Sequence, residues 1–224
     1  YNQTSISWDK DIINLEEMWK HIKRVMKPAG IVVHFCTAKF GYKLIKSNEK
    51  WFKYELVWKK SKKVGFLSAN KQPLRQHELI YIFKKEQGVY TPQKTEGLPN
   101  HPQGNGGYAA KNPQKPSLYG KTNGLKETTP LTTQKYPTSI LNFNSVQKTI
   151  HKTQKPVELV EWLIKTYSNE GETVCDFTFG SGTTAIASLN TNRKFVGMEK
   201  DPEIYELAEK RIFDHIEKLD EEDI

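Results

Sequence analysis

The chain has 224 residues, of which 36% are hydrophobic and 27% are charged, so it can bury a core of domain size. Its mean hydropathy is −0.70, and no apolar run approaches the roughly 18 residues that span a membrane, which argues against a membrane protein. No signal peptide is visible. The two cysteines, Cys36 and Cys175, each end an apolar run, which indicates buried free thiols in a reducing compartment rather than a secreted disulfide scaffold.

The charge is spread unevenly along the chain. Residues 1–85 carry 18 Lys and Arg against 7 Asp and Glu, a balance of +11. Residues 86–150 carry 7 against 3, and residues 151–224 carry 9 against 16, a balance of −7. A basic front and an acidic back predict one face that meets a polyanion and one that does not.

The first part of the chain alternates helical and extended patterns. A helical stripe of apolar residues predicts a helix over 15–27, with Asn14 at its N-cap and a Pro-Ala-Gly stop after it. The apolar run 31–36 predicts a buried strand. Alternating apolar residues predict a second strand at 52–58, and 78–83 is a further candidate.

Residues 86–150 differ from both flanking segments in composition and periodicity. They hold 7 of the 14 glycines and 7 of the 11 prolines, and no helical period runs through them. Because periodic structure resumes on both sides, this stretch is interpreted as a loop-rich insertion rather than a linker.

The last part of the chain again alternates. A helix is predicted over 157–168, a strand over 173–177, a helix near 183–191 and a strand over 194–199, and Pro202 opens a final helix. Strands and helices that alternate in this way predict an α/β fold with a largely parallel sheet and helices on both faces.

One segment carries the chemistry most clearly. A strand ends at Asp176, the turn Gly180-Ser181-Gly182 follows, and the next strand ends at Glu199. The glycines let the backbone approach a ligand closely, and the helix start directs free N–H groups at it. A carboxylate at Glu199 can accept both ribose hydroxyl hydrogens, so the segment predicts a nucleoside-cofactor site.

The turn also fits the G-x-G-x-x-A form of the dinucleotide fingerprint, so a nicotinamide cofactor is an alternative. Against it, Asp176 would repel a pyrophosphate close to the turn. Only 25 residues follow Glu199, so a sheet that began with this strand could not be completed downstream. The sheet must therefore be completed by strands that precede the turn, which is a permuted order.

The same segments resemble the β-class amino-methyltransferases of DNA. The family motif H-x-T-x-K-P is matched by His151, Thr153, Lys155 and Pro156, and the cofactor motif D-x-x-x-G-S-G-T-T by Asp176 and residues 180–184. The resemblance covers nearly the whole chain except 86–150. It implies a Rossmann-like methyltransferase fold in which 1–85 form the catalytic half, 86–150 a target-recognition insertion, and 151–224 the half that binds S-adenosylmethionine.

The resemblance also assigns site residues. The expected cofactor contacts are Thr153, Lys155, Asp176, Phe177, Phe179, Gly180, Ser181, Gly182, Thr183 and Glu199. Glu199 would hold the ribose, Asp176 would lie near the methionine ammonium, and Thr153 with Lys155 would meet the carboxylate. Phe177 stands where the family often has Pro.

The catalytic segment of the family is D-P-P-Y or D-x-P-Y, and this chain shows only its end, at Tyr1 and Asn2. We therefore expect the natural protein to begin further upstream. By resemblance, Tyr1 stacks on the target base, and an upstream Asp accepts a hydrogen bond from its amine.

A basic group between the second and third predicted strands is expected to grip DNA phosphates. It comprises Lys59, Lys60, Lys62, Lys63, Lys71 and Arg75. For any one of these residues, a solvated surface loop explains the charge equally well.

Together these features predict an S-adenosylmethionine-dependent methyltransferase that modifies adenine N6 in duplex DNA, without a metal, near the nucleoid and within a restriction-modification system. Three alternatives stay open: N4 of cytosine, a catalytically inactive DNA-binding partner with the same fold, and a nicotinamide-dependent oxidoreductase. Because some family members pair, a homodimer is also an open prediction.

Overall fold

The computed structural model describes residues 13–98, 132–151 and 153–222. The chain divides into two units, one formed by residues up to Thr91 with those from Thr138 onward, and a smaller one at Pro92–Pro137. In the smaller unit, strand β4 (Thr95–Glu96) pairs antiparallel with β5 (Gln134–Lys135). All of the candidate site described below lies in the larger unit.

A four-stranded sheet forms the centre of the larger unit. Its strands are β1 (Ile31–Cys36), β2 (Phe52–Val64), β3 (Arg75–Lys84) and β6 (Ile140–Asn142), in the order β1-β3-β2-β6. β3 pairs antiparallel with both β1 and β2, whereas β2 and β6 run parallel. This sheet is mixed rather than largely parallel as predicted. A direct hairpin joins β2 and β3, and strands joined in this way pair antiparallel.

Two helices cover one face of this sheet. They are α1 (Leu15–Val25) and α2 (Ala38–Ser47), which pack Trp19 and Leu44 against Phe83 of β3. The predicted N-cap of α1 is confirmed, since the Asn14 side chain accepts from the backbone N–H groups of the first turn. The helix ends two residues earlier than predicted.

Helix α3 (Val157–Tyr167) covers the opposite face. Leu159 and Leu163 of α3 pack with Ile80 and Ile82 of β3, all of them buried. Because side chains alternate across a strand, β3 supplies core residues to both faces at once. The prediction of helices on both faces is thus confirmed.

A βαβ unit follows α3. It consists of β7 (Thr173–Asp176), α4 (Thr183–Asn190) and β8 (Lys194–Gly197), and α5 (Pro202–Glu222) comes after it. β7 and β8 pair in parallel, as the alternating pattern predicts. α3 also packs on this unit, so one helix is shared by the four-stranded sheet and the β7–β8 pair. The α/β class is confirmed, and its parallel pairs are β2–β6 and β7–β8.

Both cysteines are free thiols. Cys36 is buried, and burial raises the pKa of its thiol to about 12, so it is unreactive at neutral pH. Cys175 is exposed, which corrects the expectation that both are buried. It lies on the face of β7 opposite to Val174, which packs toward α3. None of the helices in the described ranges is long and apolar enough to cross a membrane.

Candidate functional site

The turn between β7 and α4 has a backbone that requires glycine. Gly180 has φ 53° and Gly182 has φ 74°, both in the left-handed region. A Cβ atom on Gly182 would also lie 3.1 Å from Cδ1 of Ile212 in α5. Close packing against α5 and a positive φ therefore both select glycine at position 182.

Asp176 anchors the start of the turn. Its Oδ1 accepts a hydrogen bond from the Thr178 N–H at 3.0 Å, and its Oδ2 accepts one from the Thr184 hydroxyl at 2.6 Å. The carboxylate at the end of β7 is thereby held in one orientation by residues on both sides of the glycines.

Glu199 anchors the other side of the turn. Its Oε2 accepts from the Gly180 N–H at 3.0 Å, and its Oε1 accepts from the N–H groups of Lys200 at 2.8 Å and Asp201 at 3.1 Å. A carboxylate offers about four lone-pair positions, so these three bonds leave one on Oε2 for a ligand hydroxyl. Asp176 and Glu199 therefore both hydrogen-bond to the turn itself, a role that the sequence analysis does not assign to them.

Aromatic rings surround the turn. Phe179 is buried, and its ring lies edge-on to those of Phe195 and Tyr205, each at a centroid distance of 5.9 Å. Phe177 is 37% exposed, so part of its ring is accessible. Both residues are predicted cofactor contacts, but Phe179 supports the turn from within the core, whereas Phe177 presents a surface.

Arg211 of α5 fixes the turn from behind, a role that sequence reasoning missed. It donates to the Ser181 carbonyl at 2.7 Å and to the Thr183 hydroxyl at 3.1 Å. Burial lowers the pKa of its guanidinium from the ordinary value. The spacing of Tyr205, Ala208 and Arg211 could have indicated this role. They recur every three residues and so lie near one face of α5.

Lys155 occupies a network of charges beside the turn. Its ammonium lies 3.1 Å from Oε2 of Glu78, donates to the Thr153 carbonyl at 3.2 Å and stands over the Phe35 ring at 5.1 Å. The other carboxylate oxygen of Glu78 accepts from Lys60. We call Lys60, Glu78 and Lys155 the charged bridge.

The charged bridge is partly shielded from solvent, with side-chain exposures of 17–22%. Burial by itself raises the pKa of Glu78, but the Lys155 and Lys60 ammonium groups outweigh it, and the pKa is lowered from its ordinary value. Glu78 is therefore ionised at neutral pH. The sequence alone does not reveal this network, because the partners of Glu78 are 18 residues before it and far after it in the chain.

The bridge connects to the glycine turn. The Thr183 hydroxyl donates to the Lys155 carbonyl at 3.3 Å. The Thr153 hydroxyl lies 3.0 Å from Nδ1 of His151, and a Cβ on Gly180 would be 3.9 Å from the same nitrogen. The predicted residues before α3 and those of the turn therefore come together in space.

The predicted phosphate-binding residues separate into two kinds. Lys60 points into the charged bridge and stands over the Trp58 ring at 4.8 Å. The others are exposed along the hairpin of β2 and β3: Lys59, Lys62, Lys63, Lys71 and Arg75. Lys62 also donates to the Val146 carbonyl at 3.3 Å, which braces the strand against the segment after β6.

His34 on β1 is a second residue that sequence reasoning missed. Its ring lies 6.1 Å from the Trp19 ring and 6.3 Å from the Phe177 ring. Its Nε2 is buried and has no hydrogen-bond partner among the described residues. Burial lowers the pKa of His34 to about 4, so the imidazole is neutral at neutral pH.

Two further predictions concern Tyr1 and the absence of a metal ion. Tyr1 lies outside the described residues, so its role stays a prediction. Within the described ranges, no group of three or more His, Cys, Asp or Glu side chains could hold a metal ion.

A sequence profile of the DNA methylase family, which groups N6 and N4 methyltransferases, matches residues 3–210. The chain belongs to this family. The resemblance seen in the motifs is thereby confirmed, and the match also spans the insertion that the motifs do not cover.

The curated relatives of this DNA methylase are longer than the chain. The type II methyltransferase M.HpaI of Haemophilus parainfluenzae is 25% identical over 97% of this chain, which covers 65% of that protein. M.BglI of Bacillus subtilis is 42% identical over 62 residues, 28% of this chain and 18% of the relative. The chain thus spans less than two thirds of the length of these curated relatives.

Solved structures share the fold. M1.HpyAVI in complex with SAM has a TM-score of 0.61 at 23% identity, over 90% of this chain and 84% of that one. The PvuII cytosine-N4-specific DNA methyltransferase has a TM-score of 0.57 at 15% identity, over 90% and 74%. The Rossmann-like methyltransferase fold predicted from the sequence is therefore confirmed.

Proposed function

We propose that this DNA methylase transfers a methyl group from S-adenosylmethionine to an exocyclic amine of a base in duplex DNA. The observation that carries the proposal is the left-handed glycine turn held between Asp176 and Glu199, in a chain of this family. M1.HpyAVI, which shares the fold, was solved with SAM.

The residues around the turn fit this cofactor. The open position on Glu199 Oε2 can accept a ribose hydroxyl, and Asp176 supplies a negative charge for an ammonium group. The exposed part of the Phe177 ring offers an apolar surface for an adenine. When bound, S-adenosylmethionine supplies an activated methyl group on a sulfonium.

Lys155 is the proposed partner of the cofactor carboxylate. In the structure its charge is shared with Glu78, which also accepts from Lys60. Two ammonium groups around one carboxylate leave a net positive charge, so the charged bridge can bind an additional carboxylate without losing its own pairing. Lys155 is thus held beside the turn instead of extending into solvent.

The chain's own contribution to the chemistry is orientation. The exocyclic amine of a base is a poor nucleophile because its lone pair is delocalised into the ring. Hydrogen-bond acceptors that hold both N–H groups would direct the lone pair at the methyl carbon, and proximity then carries much of the rate. We propose that Tyr1 stacks on the base that has left the helix.

Adenine N6 is the proposed target atom, and cytosine N4 is the second candidate. Overall similarity to the family's adenine enzymes favours adenine, whereas the PvuII enzyme, whose fold is shared, is cytosine-N4-specific. Both reactions need the same orientation of an amine toward the same methyl group, so the chemistry of the cofactor turn is common to both.

The test is methyl transfer from radiolabelled S-adenosylmethionine to mixed-sequence duplex DNA, catalysed by the full-length protein. Label in N6-methyladenosine supports the proposal, and label in N4-methylcytidine retains the reaction but changes the base. Glu199→Ala should abolish transfer, whereas Glu206→Ala, an exposed acid on α5, should not. Retained cofactor binding with no label in DNA would contradict the enzyme and favour an inactive binding partner, and saturable NAD binding instead would favour an oxidoreductase.

A further inference from the structure

The hairpin of β2 and β3 ends in an exposed apolar tip. Phe66 is 77% exposed and Leu67 is 88% exposed, and both lie in a short 3-10 helix, Phe66–Ser68. Val64 and Leu74, on either side, are also exposed. Neighbouring large apolar side chains at such exposure contribute little to the core, which indicates a contact with another molecule.

The backbone of the tip is ordered by its own hydrogen bonds. The Ser68 N–H donates to the Gly65 carbonyl at 3.0 Å, and the N–H groups of Lys71 and Gln72 both donate to the Ser68 carbonyl, at 2.9 and 3.0 Å. Gly65 has φ 92° and opens this turn in the left-handed region. The tip therefore presents Phe66 and Leu67 from a preformed turn.

The surroundings of the tip are strongly basic. Between Leu56 and His77 there are six Lys or Arg residues and no Asp or Glu. Lys62 and Lys63 precede the tip and Lys71 follows it, all exposed. An apolar tip ringed by one sign of charge fits a partner that combines a polyanionic surface with apolar stacked groups, and duplex DNA is such a partner.

The tip can reach the same DNA as the candidate site. Lys60 of β2 is paired through Glu78 with Lys155, which lies beside the glycine turn. Phe66 follows Lys60 by six positions, and an extended strand covers at most about 20 Å over that length. The tip therefore lies no more than about six base pairs of duplex from Lys60, since each base pair rises by about 3.4 Å.

We propose that Phe66 and Leu67 form an apolar wedge that enters the base stack of duplex DNA near the target nucleotide. This inference deepens the proposed function and rests on it. Lys62, Lys63 and Lys71 would hold the flanking phosphates, while the wedge occupies the space that a base leaves when it turns out of the helix. Filling that space with an apolar ring offsets part of the free energy lost by unstacking.

The test compares two duplexes of one sequence, one intact and one with a single abasic site, and it uses the full chain without cofactor. An abasic site removes the unstacking that a wedge must otherwise drive. We expect the unaltered protein to bind the abasic duplex about tenfold more tightly than the intact one, the range that a base–aromatic stack supports. In the Phe66→Ala/Leu67→Ala variant the ratio of the two affinities should fall towards one. In a separate Phe66→Trp variant, which keeps a large aromatic ring, the ratio should be retained.

Matched variants separate the wedge from the charge. Lys62→Ala/Lys63→Ala should weaken binding to both duplexes and reduce the salt dependence, but leave the ratio between them unchanged. Because Phe66 and Leu67 are exposed, their removal should leave the thermal unfolding midpoint unchanged, which checks that the variant is folded.

Three results would overturn the wedge. One is a ratio that persists in the double-alanine variant, since the preference for the abasic site would then come from another part of the protein. A second is self-association of the protein that is lost in this variant while DNA binding is unchanged. A third is binding to anionic lipid vesicles that depends on Phe66 and Leu67 when the DNA ratio does not. A protein that shows the ratio but transfers no methyl group would contradict the proposed reaction and leave the wedge standing.

Discussion

The glycine turn and the basic hairpin differ in how their charged side chains are held. Those of the turn are hydrogen-bonded to the chain, whereas most of those on the hairpin are exposed to solvent. At the turn, the carboxylates of Asp176 and Glu199 accept five hydrogen bonds from the chain itself, and Arg211 adds two more from behind. On the hairpin, by contrast, Lys59 and Lys63 extend into solvent from β2.

This difference matches two kinds of ligand. A small cofactor is bound best by groups that already stand in place, because little conformational entropy is then lost on binding. A DNA backbone, in contrast, can be met by mobile, solvated ammonium groups whose contribution is largely counterion release. The charged bridge joins the two regions, because Glu78 pairs with Lys60 of the hairpin and with Lys155 beside the turn.

Among the variants that compare these two regions, Gly182→Ala is expected to have the largest effect. The change introduces strain at φ 74° and a Cβ 3.1 Å from Ile212, so we expect at least a tenfold loss of S-adenosylmethionine affinity as the turn shifts. Gly171→Ala is the matched control, because Gly171 has φ 76° but nothing within 4 Å of its Cβ. Both variants should lose about 1–2 kcal/mol of unfolding free energy to strain. Calorimetric titration and urea unfolding would measure the two quantities, and equal cofactor affinity in both variants would contradict a rigid turn.

Arg211→Met should have the next largest effect. It keeps much of the side-chain volume but removes the donors to Ser181 and Thr183, and hydrogen bonds from a charged group contribute about 1.5–3 kcal/mol each. Because Arg211 contacts the turn from behind, we expect a several-fold higher KM for the cofactor with a small change in kcat. Lys210→Met, on the neighbouring exposed position, is the control and should change neither. A variant of Arg211 with an unchanged KM would show that the turn holds its shape without it.

Glu78→Gln tests the bridge between the two regions. Because the pKa of Glu78 is lowered from 4.5 in the folded protein, its ion pairs stabilise the fold above that pH and lose this contribution as the pH falls through the folded-state pKa. The free energy of unfolding of the parent should therefore fall more steeply below about pH 4.5 than that of the variant. At neutral pH the variant should lose about 1.5–3 kcal/mol of unfolding free energy, because the two ammonium groups lose their charged partner. Glu55→Gln, at an exposed position of β2, is the control. Parallel pH profiles of unfolding free energy for the parent and Glu78→Gln would contradict a stabilising role of the charged bridge.

The smallest effect per residue is expected from the exposed lysines. Lys62→Ala/Lys63→Ala should reduce the slope of log affinity for duplex DNA against log salt by about 0.9 for each phosphate contact that is lost. The control is Lys43→Ala/Lys46→Ala, which removes two exposed lysines from α2 and so has the same net charge as the hairpin variant. Cofactor affinity should be unchanged in both variants. Equal salt slopes for the two pairs would mean that net charge, not the hairpin, governs binding.

Much of the cofactor turn could be predicted from the sequence because its information is local. Two glycines spaced around one residue, with acids at the ends of the flanking strands, lie within 24 residues, from Asp176 to Glu199. The same holds for α1, whose N-cap and apolar stripe are both readable from its own residues. β2 and β3, however, extend further towards the hairpin tip than predicted, because cross-strand pairing continues through the polar residues after Trp58.

The sequence by itself therefore determined the α/β class, the glycine turn and the excess of basic charge in the first part of the chain, since each depends on spacing or on counts along the chain. Only the tertiary structure decided that Lys60 belongs to an ion pair while Lys59 next to it faces solvent. It also decided that Arg211 supports the turn. Both depend on which residues meet across the fold, and adjacent residues of a strand point to opposite faces, so identical side chains acquire different roles.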